Sequence, residues 1–498
     1  MRARTIVIGF IAVAILAVLA IVLIPQLHKP KQVSSQTYWP TQGWRTSTPE
    51  EQGLDSAKLA EVLQAIQKQN THIDSLLVIR NGLVLLDAYF YNPYDGTFPH
   101  DLASVTKSVM TTLIGIAADQ GKIQLDQPMV SYFPDRTIAN LDARKEHITV
   151  RHLAGMVNGF GSGCMSGDMA TLDLMRSSSD WVQSALDRRM AHEPGTSFCY
   201  DSPGMHLLSA ILQESTGMTA LEFARQNLFE PLGIREVIWE SDPQGYNLGW
   251  GDLHMKPRDA AKLGYLWLNN GVWEGKQIVS AAWTQDAVTP HSKAAGEDDY
   301  GYGWWVSQDS YYAMGRGGQN IKVAPAMNVI VVTTGSGFEY DEVAPYLIAA
   351  VIDLTKPLPA NPVGVAQLDA ALTSLVKPPS PLSGGTLPDT AKVISGKTYV
   401  FDANLAKVDT LRLEFNDSAE ATIYMKQRGS DVIWPIGLDG KYRLSSDGLE
   451  LRGYWENPQT FVIEVFDVGL STRTLHFDAD RLLIDSPGMK LEGQVKNP

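Results

Sequence analysis

Leu102-Ala103-Ser104-Val105-Thr106-Lys107 is the stretch that decides how this chain is read. Residues from Ser104 to Gln120 carry apolar side chains at helical spacing and stop at Gly121, so a helix is expected with Ser104 at its start. Ser-x-x-Lys in that place sets both side chains on one helix face, three residues apart. A serine hydroxyl is a poor nucleophile at neutral pH and needs a neighbouring base. A lysine shielded from water can supply one, because burial disfavours its charged form. The helix N-terminus adds a field that stabilises developing negative charge. A pattern this short also arises by chance, so its weight depends on what surrounds it.

Upstream, Asp55 to Gln69 carries Leu59, Val62, Leu63 and Ile66 at helical spacing, with Asp55 or Ser56 as N-cap. Two strand-like runs, Ser75–Arg80 and Leu83–Phe90, flank Asn81-Gly82, the strongest short hairpin signal because both turn positions need positive φ. Downstream, helical patterns occupy Pro203–Ser215, Ala220–Phe229 and Pro257–Leu268. Strands return at Tyr302–Val306, Tyr311–Met314, Ile321–Ala324 and Val329–Thr334, and Glu342–Leu354 reads as a closing helix. Strands at both ends of a helical block imply one sheet built from both ends of a domain spanning residues 51–355. Residues 356–392 are proline-rich and read as a linker, interrupted by a short helical stretch at Val365–Leu375. Residues 393–498 alternate short strands with turns and are expected to form a small all-β domain.

The chain has 498 residues, 44% hydrophobic and 19% charged, enough for a large core and two to four domains. Its 41 basic and 55 acidic residues leave a net charge of −14, against a nucleic-acid partner. The two cysteines, Cys164 and Cys199, exclude a disulfide-stapled scaffold and any four-cysteine metal site. The ten histidines are scattered without ligand spacing, so no metal site is expected.

The N-terminus sets the expected compartment. Arg2 and Arg4 precede an apolar run from Ile6 to Ile24, 19 residues that span about 28 Å as a helix. No small-x-small cleavage site follows, so an uncleaved signal anchor (residues 1–31, crossing at about 6–24) is favoured over a cleaved peptide. Residues 32–50 then read as a linker, and the remainder would lie outside the cytoplasm. There Cys164 and Cys199 are free to form a disulfide, although the sequence does not establish that they meet.

No G-x-S-x-G, H-E-x-x-H or Walker loop occurs. The chain does contain Tyr200-Asp201-Ser202, after Glu193-Pro194-Gly195-Thr196-Ser197-Phe198-Cys199, and then Gly315-Arg316-Gly317-Gly318-Gln319 before an apolar strand. Together with Ser104-x-x-Lys107 this resembles the three-part signature of the serine β-lactamase and penicillin-binding-protein superfamily. Intervening segments, among them Gly121–Pro128, Ile148–Leu153, Glu230–Ile234 and Pro257-Arg258-Asp259, are similar too. The resemblance covers roughly residues 45–355 and is nearest to the class C-like branch, which includes carboxylesterases, D-amino-acid peptidases and 6-aminohexanoate-dimer hydrolases. It implies an α+β fold of the β-lactamase/transpeptidase type: an antiparallel sheet flanked by helices, plus an all-helical block.

The resemblance further implies a nucleophile at Ser104, its activating partner at Lys107 and a second acid–base group at Tyr200. It places the oxyanion hole at the backbone N–H groups of Ser104 and Gln319, with Gln319 on an edge strand. Ser202 would orient Lys107 or a substrate amide, and Arg316, Gly317 and Gly318 would contact substrate. Two departures stand out. Arg316-Gly317-Gly318 replaces Lys-Thr-Gly, which removes a hydroxyl at 317, and Ser replaces Asn at 202. Arg316 read by itself is equally a solvated strand residue, and Arg and Lys differ in geometry. The aromatic residues Trp181, Trp250, Trp304, Trp305, Tyr311 and Tyr312 receive no role, since core packing is the usual fate of such rings.

The expectation is an exported, membrane-anchored serine hydrolase needing no cofactor and cleaving a small linear amide or ester through an acyl-enzyme. The alternatives are a β-lactamase or D-aminoacyl peptidase, or a penicillin-binding or sensory module that does not turn over. Oligomeric state and the job of residues 393–498 are not legible.

Overall fold

The computed structural model describes residues 38–69, 71–90, 94–161, 168–294, 298–375, 387–404, 406–416, 419–467, 469–478, 480–486 and 489–495. Among these no helix is long and apolar enough to cross a membrane. The expected anchor at residues 6–24 lies outside them.

The chain opens with helix α1 (Ser56–Gln69), whose first amides at Ala57 and Lys58 donate to the Asp55 carboxylate. Strands β1 (Ile73–Arg80) and β2 (Leu83–Tyr89) follow as the expected hairpin, with φ of 53° at Asn81 and 78° at Gly82. Helix α2 (Val105–Asp119) is buried on every side from Val105 to Ala117, the signature of a helix running through a core. Helices α3 (Ser202–Thr216) and α4 (Pro257–Leu268) precede strands β3 (Tyr311–Gly315), β4 (Gln319–Ala324) and β5 (Val329–Gly335).

These strands form the antiparallel order β2-β1-β5-β4-β3 within a nine-stranded sheet, joining both ends of the domain as expected. Arg45–Thr46 adds to β2 in parallel, and short strands at Trp305–Val306, Asp299–Tyr300 and Ser292–Lys293 extend the sheet beyond β3. One face packs against α2, α3, α4 and the helical block. The other packs against α1, α5 (Ala344–Ala350) and α6 (Pro362–Leu375).

Two boundaries move. Residues 38–50, read as linker, belong to the domain: Trp39 packs against Tyr265 and Trp273, at centroid distances of 5.4 and 5.2 Å. Helix α6, read as an interruption of the linker, buries Leu368, Ala371 and Leu375 in the same core as Leu59 and Leu63 of α1. The closing helix is also shorter than expected, because Tyr340–Glu342 is a 3₁₀ turn and α5 ends at Ala350.

The C-terminal domain is all-β, as expected, and closes into a barrel. Its main strands are β6 (Thr398–Phe401), β7 (Val408–Phe415), β8 (Glu420–Gln427), β9 (Ser430–Gly437), β10 (Glu450–Asn457), β11 (Thr460–Phe466), β12 (Leu470–Asp478), β13 (Arg481–Ser486) and β14 (Met489–Val495). They run β9-β8-β7-β6-β14-β13-β12-β11-β10, and a parallel bridge between Gly437 and Arg452 joins β9 to β10. Closure removes the open edges that a sheet this long would expose. The barrel docks on the first domain through Phe466, whose ring meets Tyr94, Phe98 and His100 at 6.1, 6.4 and 5.4 Å. Beside this contact, burial pushes the Asp101 carboxyl up to about 7 and that of Glu450 up to about 10, each raised further by neighbouring carboxylates.

Candidate active site

The turn into α2 is held in an uncommon shape. Ala103 has a φ of 46°, sparsely populated for a residue with a side chain, and its N–H donates to the buried Asp101 carboxylate at 2.7 Å. Ser104 follows at the N-cap position, where a serine hydroxyl usually accepts a bond from the first turn of its own helix. Here it makes no capping bond. The Ser104 Oγ instead lies 2.9 Å from the Lys107 Nζ. Lys107 is 1% exposed, and its ammonium also donates to the Trp250 carbonyl at 2.9 Å. One turn of helix and one remote carbonyl therefore fix the amine against the hydroxyl.

Tyr200 completes the group, its ring centroid 4.8 Å from the Lys107 Nζ. The three residues of its motif point in three directions. Asp201, 2% exposed, takes a paired contact from the Arg188 guanidinium at 2.6 and 3.0 Å and a bond from the Asn158 amide at 2.8 Å. Ser202 donates both its N–H and its hydroxyl to the Asp168 carboxylate, at 2.6 and 2.7 Å. Tyr200 is left facing the cleft, stacked on Trp305 at 6.2 Å and 16°. Of the two partners expected for Ser202, Lys107 or a substrate amide, Lys107 is not the one its hydroxyl bonds. That hydroxyl is buried and donates to Asp168, the first residue of the helix Asp168–Ser177, whose carboxylate sits against the N-terminus of α3 where negative charge is favoured.

The glycine-rich segment differs from expectation in the strand that Gln319 opens. Arg316, Gly317 and Gly318 form the turn between β3 and β4, with φ of 88° and 99° at the two glycines. Because the turn takes three residues, Gln319 pairs with Gly315 and opens β4, an interior strand rather than an edge. The Gln319 side chain is fully buried and clasps the Gly335 backbone, donating to its carbonyl at 2.6 Å and accepting from its N–H at 3.1 Å. The backbone beside the Ser104 nitrogen belongs to Gly315. Arg316 is exposed at the mouth. Cys199 is disulfide-bonded; Cys164, its expected partner, lies outside the described residues.

A cleft of about 830 Å³ joins these groups. Ser104 and Tyr200 lie at one end, with Trp305, Met314 and the Gly315–Gln319 turn around them. Asn320 lies beyond them, and the far end is lined by Tyr312, Lys322, Asp298, Tyr340 and Asp341. Sequence reading missed Asp168, Asn320, Lys322 and the Trp250 carbonyl. It left Trp305 and Tyr312 without a role, and both line the cleft. Only strand alternation signalled Asn320 and Lys322, which sit two apart on the face opposite the core residues Ile321 and Val323.

A beta-lactamase family model matches residues 59–355, more than half of the chain. The chain belongs to the beta-lactamase family. The superfamily expected from the three motifs is therefore borne out. This family member is 24% identical over 314 residues to the 6-aminohexanoate-dimer hydrolase of Paenarthrobacter ureafaciens, covering 58% of this chain and 80% of that one. It is 25% identical over 227 residues to esterase EstB of Burkholderia gladioli, covering 41% and 58%. Among solved structures it shares its fold with a Bacillus anthracis protein assigned as a 6-aminohexanoate-dimer hydrolase, at TM-score 0.51 and 18% identity over 66% of this chain and 88% of that one. It also shares it with EstCE1, a hydrolase with promiscuous acyltransferase activity, at TM-score 0.50 and 17% identity over 60% and 99%.

Proposed function

We propose that this beta-lactamase family member is an exported, membrane-anchored serine hydrolase that forms an acyl-enzyme on Ser104 and cleaves a small linear amide or ester. The observation that carries this reading is the Ser104 hydroxyl, withheld from capping and 2.9 Å from a buried lysine amine on the wall of an open cleft. Ser104 Oγ would attack the carbonyl carbon while its proton leaves toward the Lys107–Tyr200 pair. The pair returns that proton to the departing amine or alkoxide, then takes one from the water that opens the acyl-enzyme. The oxyanion would rest on the Ser104 N–H, at the positive end of α2, and on the backbone N–H of Gln319, which opens β4 across the ladder from Gly315.

The amidase and esterase names of the similar proteins support the substrate class. The absence of a hydroxyl at position 317 argues against a β-lactam carboxylate as the preferred ligand. The arginine-flanked apolar run at residues 6–24 supports export with the N-terminus inside. The test is fluorophosphonate labelling and p-nitrophenyl acetate hydrolysis by the fragment from residue 32. Both should be present in the wild-type fragment and abolished in Ser104→Ala. An acyl adduct on the Ser104→Ala protein would reject the assignment.

A further inference from the structure

The far end of the cleft has its own chemistry. On β3, Tyr312 and Met314 face the cleft; across the ladder they pair with Lys322 and Asn320 of β4. The Lys322 ammonium lies over two phenol rings, 4.6 Å from the centroid of Tyr312 and 5.2 Å from that of Tyr340. It makes no ion pair among the described residues. Asp298 and Asp341 attract it from a distance, but burial outweighs them and holds its pKa below the ordinary lysine value, with no nearer counter-charge among the described residues. Asp298 is meanwhile engaged by the Tyr312 hydroxyl at 3.1 Å, and Asp341 is exposed at the rim. Between Lys322 and the nucleophile lies Asn320, 4% exposed, whose Oδ1 accepts no hydrogen bond from the described residues. A buried acceptor without a donor is costly unless a ligand supplies one.

We infer that this half of the cleft is a substrate subsite, in which Lys322 binds a terminal carboxylate and Asn320 accepts a hydrogen bond from a substrate N–H, with Met314 and the aromatic rings flanking the apolar chain between. The inference rests on the hydrolase reading, since it names the class of substrate that the Ser104 centre would take: a linear ester or amide ending in a carboxylate. Three residues of strand separate Lys322 from the Gly315–Gln319 pair, about 10 Å of reach.

The experiment compares p-nitrophenyl esters of equal chain length that end in a carboxylate, a methyl or an ammonium group. In the wild type the carboxylate-ended ester should have a kcat/KM at least tenfold above the methyl-ended one, the difference lying in KM. Lys322→Met should bring that ratio to within twofold of unity, and Lys322→Arg should restore part of it. A wild-type ratio near unity, or one unchanged in Lys322→Met, overturns the subsite while leaving the Ser104 hydrolase intact. A preference for the ammonium-ended ester overturns it in favour of the acids at the rim. Binding measured calorimetrically needs no turnover: octanoate should bind at least tenfold tighter than octanamide, and Lys322→Met should erase the difference. Equal binding of the two rejects the subsite even if no ester is hydrolysed, an outcome that would separately reject the hydrolase.

Discussion

Gly315 and Ser104 are packed backbone against backbone. A Cβ on Gly315 would lie 2.9 Å from the Ser104 nitrogen, 2.5 Å from the Leu102 carbonyl oxygen and 3.0 Å from the Ala103 Cβ. None of these neighbours is the movable end of a side chain. The hydrogen of Gly315 thus lets the end of β3 approach the turn that carries the hydroxyl.

Gly315→Val should accordingly push β3 away from Ser104 while the sheet, held on its other side by β4, remains folded. A displacement near 1 Å lowers rates by about 10²-fold in a positioned site. The expected result is a loss of at least that size in kcat/KM for p-nitrophenyl acetate, with an unchanged near-ultraviolet circular dichroism spectrum. Activity within threefold of wild type would show that the glycine is not needed for the approach.

Lys107→Ala and Tyr200→Phe should each lower kcat by about 10²–10⁴, the usual contribution of a positioned acid or base. The double variant should lose little more than the worse single one, because both groups serve one proton path. Additive losses would place the two residues in separate steps.

The Arg188–Asp201 pair is a stability element. The Arg188 side chain is 11% exposed and that of Asp201 2%, so Arg188→Met leaves a buried carboxylate that keeps the Asn158 amide as a donor at 2.8 Å. Breaking a buried pair from one side costs about 3–5 kcal/mol. Thermal melting should fall by at least about 6 °C, and kcat should fall with it, since Asp201 anchors the loop before α3 that carries Tyr200. A melting temperature within 2 °C of wild type would show that the pair is dispensable.

The barrel interface should respond to pH through Glu450. Its carboxyl is raised from 4.5 to about 10, first by burial and then by Asp95, Asp467 and Asp74, and its Oε1 has no hydrogen-bond partner among the described residues. Between those values the folded chain holds a proton that the unfolded chain has released, so this group lowers stability as pH rises from about 4.5 to about 10. Glu450→Gln removes that contribution. The variant's melting temperature relative to wild type should therefore rise between pH 6 and pH 9, by about 2–4 °C or more. A constant difference across that range would contradict the linkage.

Topology is tested separately. A phosphatase reporter fused after residue 40 should be active and a reporter that works only in the cytoplasm silent, because the apolar run follows Arg2 and Arg4. The reverse pattern would remove the anchor from the proposal.

What the sequence determined by itself is local. The Ser104–Lys107 contact follows from three residues of helix, the β1–β2 hairpin from the positive φ of Asn81-Gly82, and α4 from proline at its first position and a 3.6-residue apolar pattern. Three motifs in order carried the family. Tertiary structure decided everything that depends on register or on partners far apart in the chain. A turn of three residues put Gly315 against Ser104 and set Gln319 opposite it on an interior strand, and register of that kind decides which backbone and which strand face meet the cleft. Asp168 captured Ser202 from 34 residues away, and the Trp250 carbonyl captured Lys107 from 143. No local pattern encodes such pairs, because a hydrogen-bonding group is satisfied by whatever partner the packed core brings within reach. The sheet that joins the two halves of the domain placed Lys322 at the end of a cleft that begins at Ser104, and only that packing makes a strand lysine a candidate for reading the substrate.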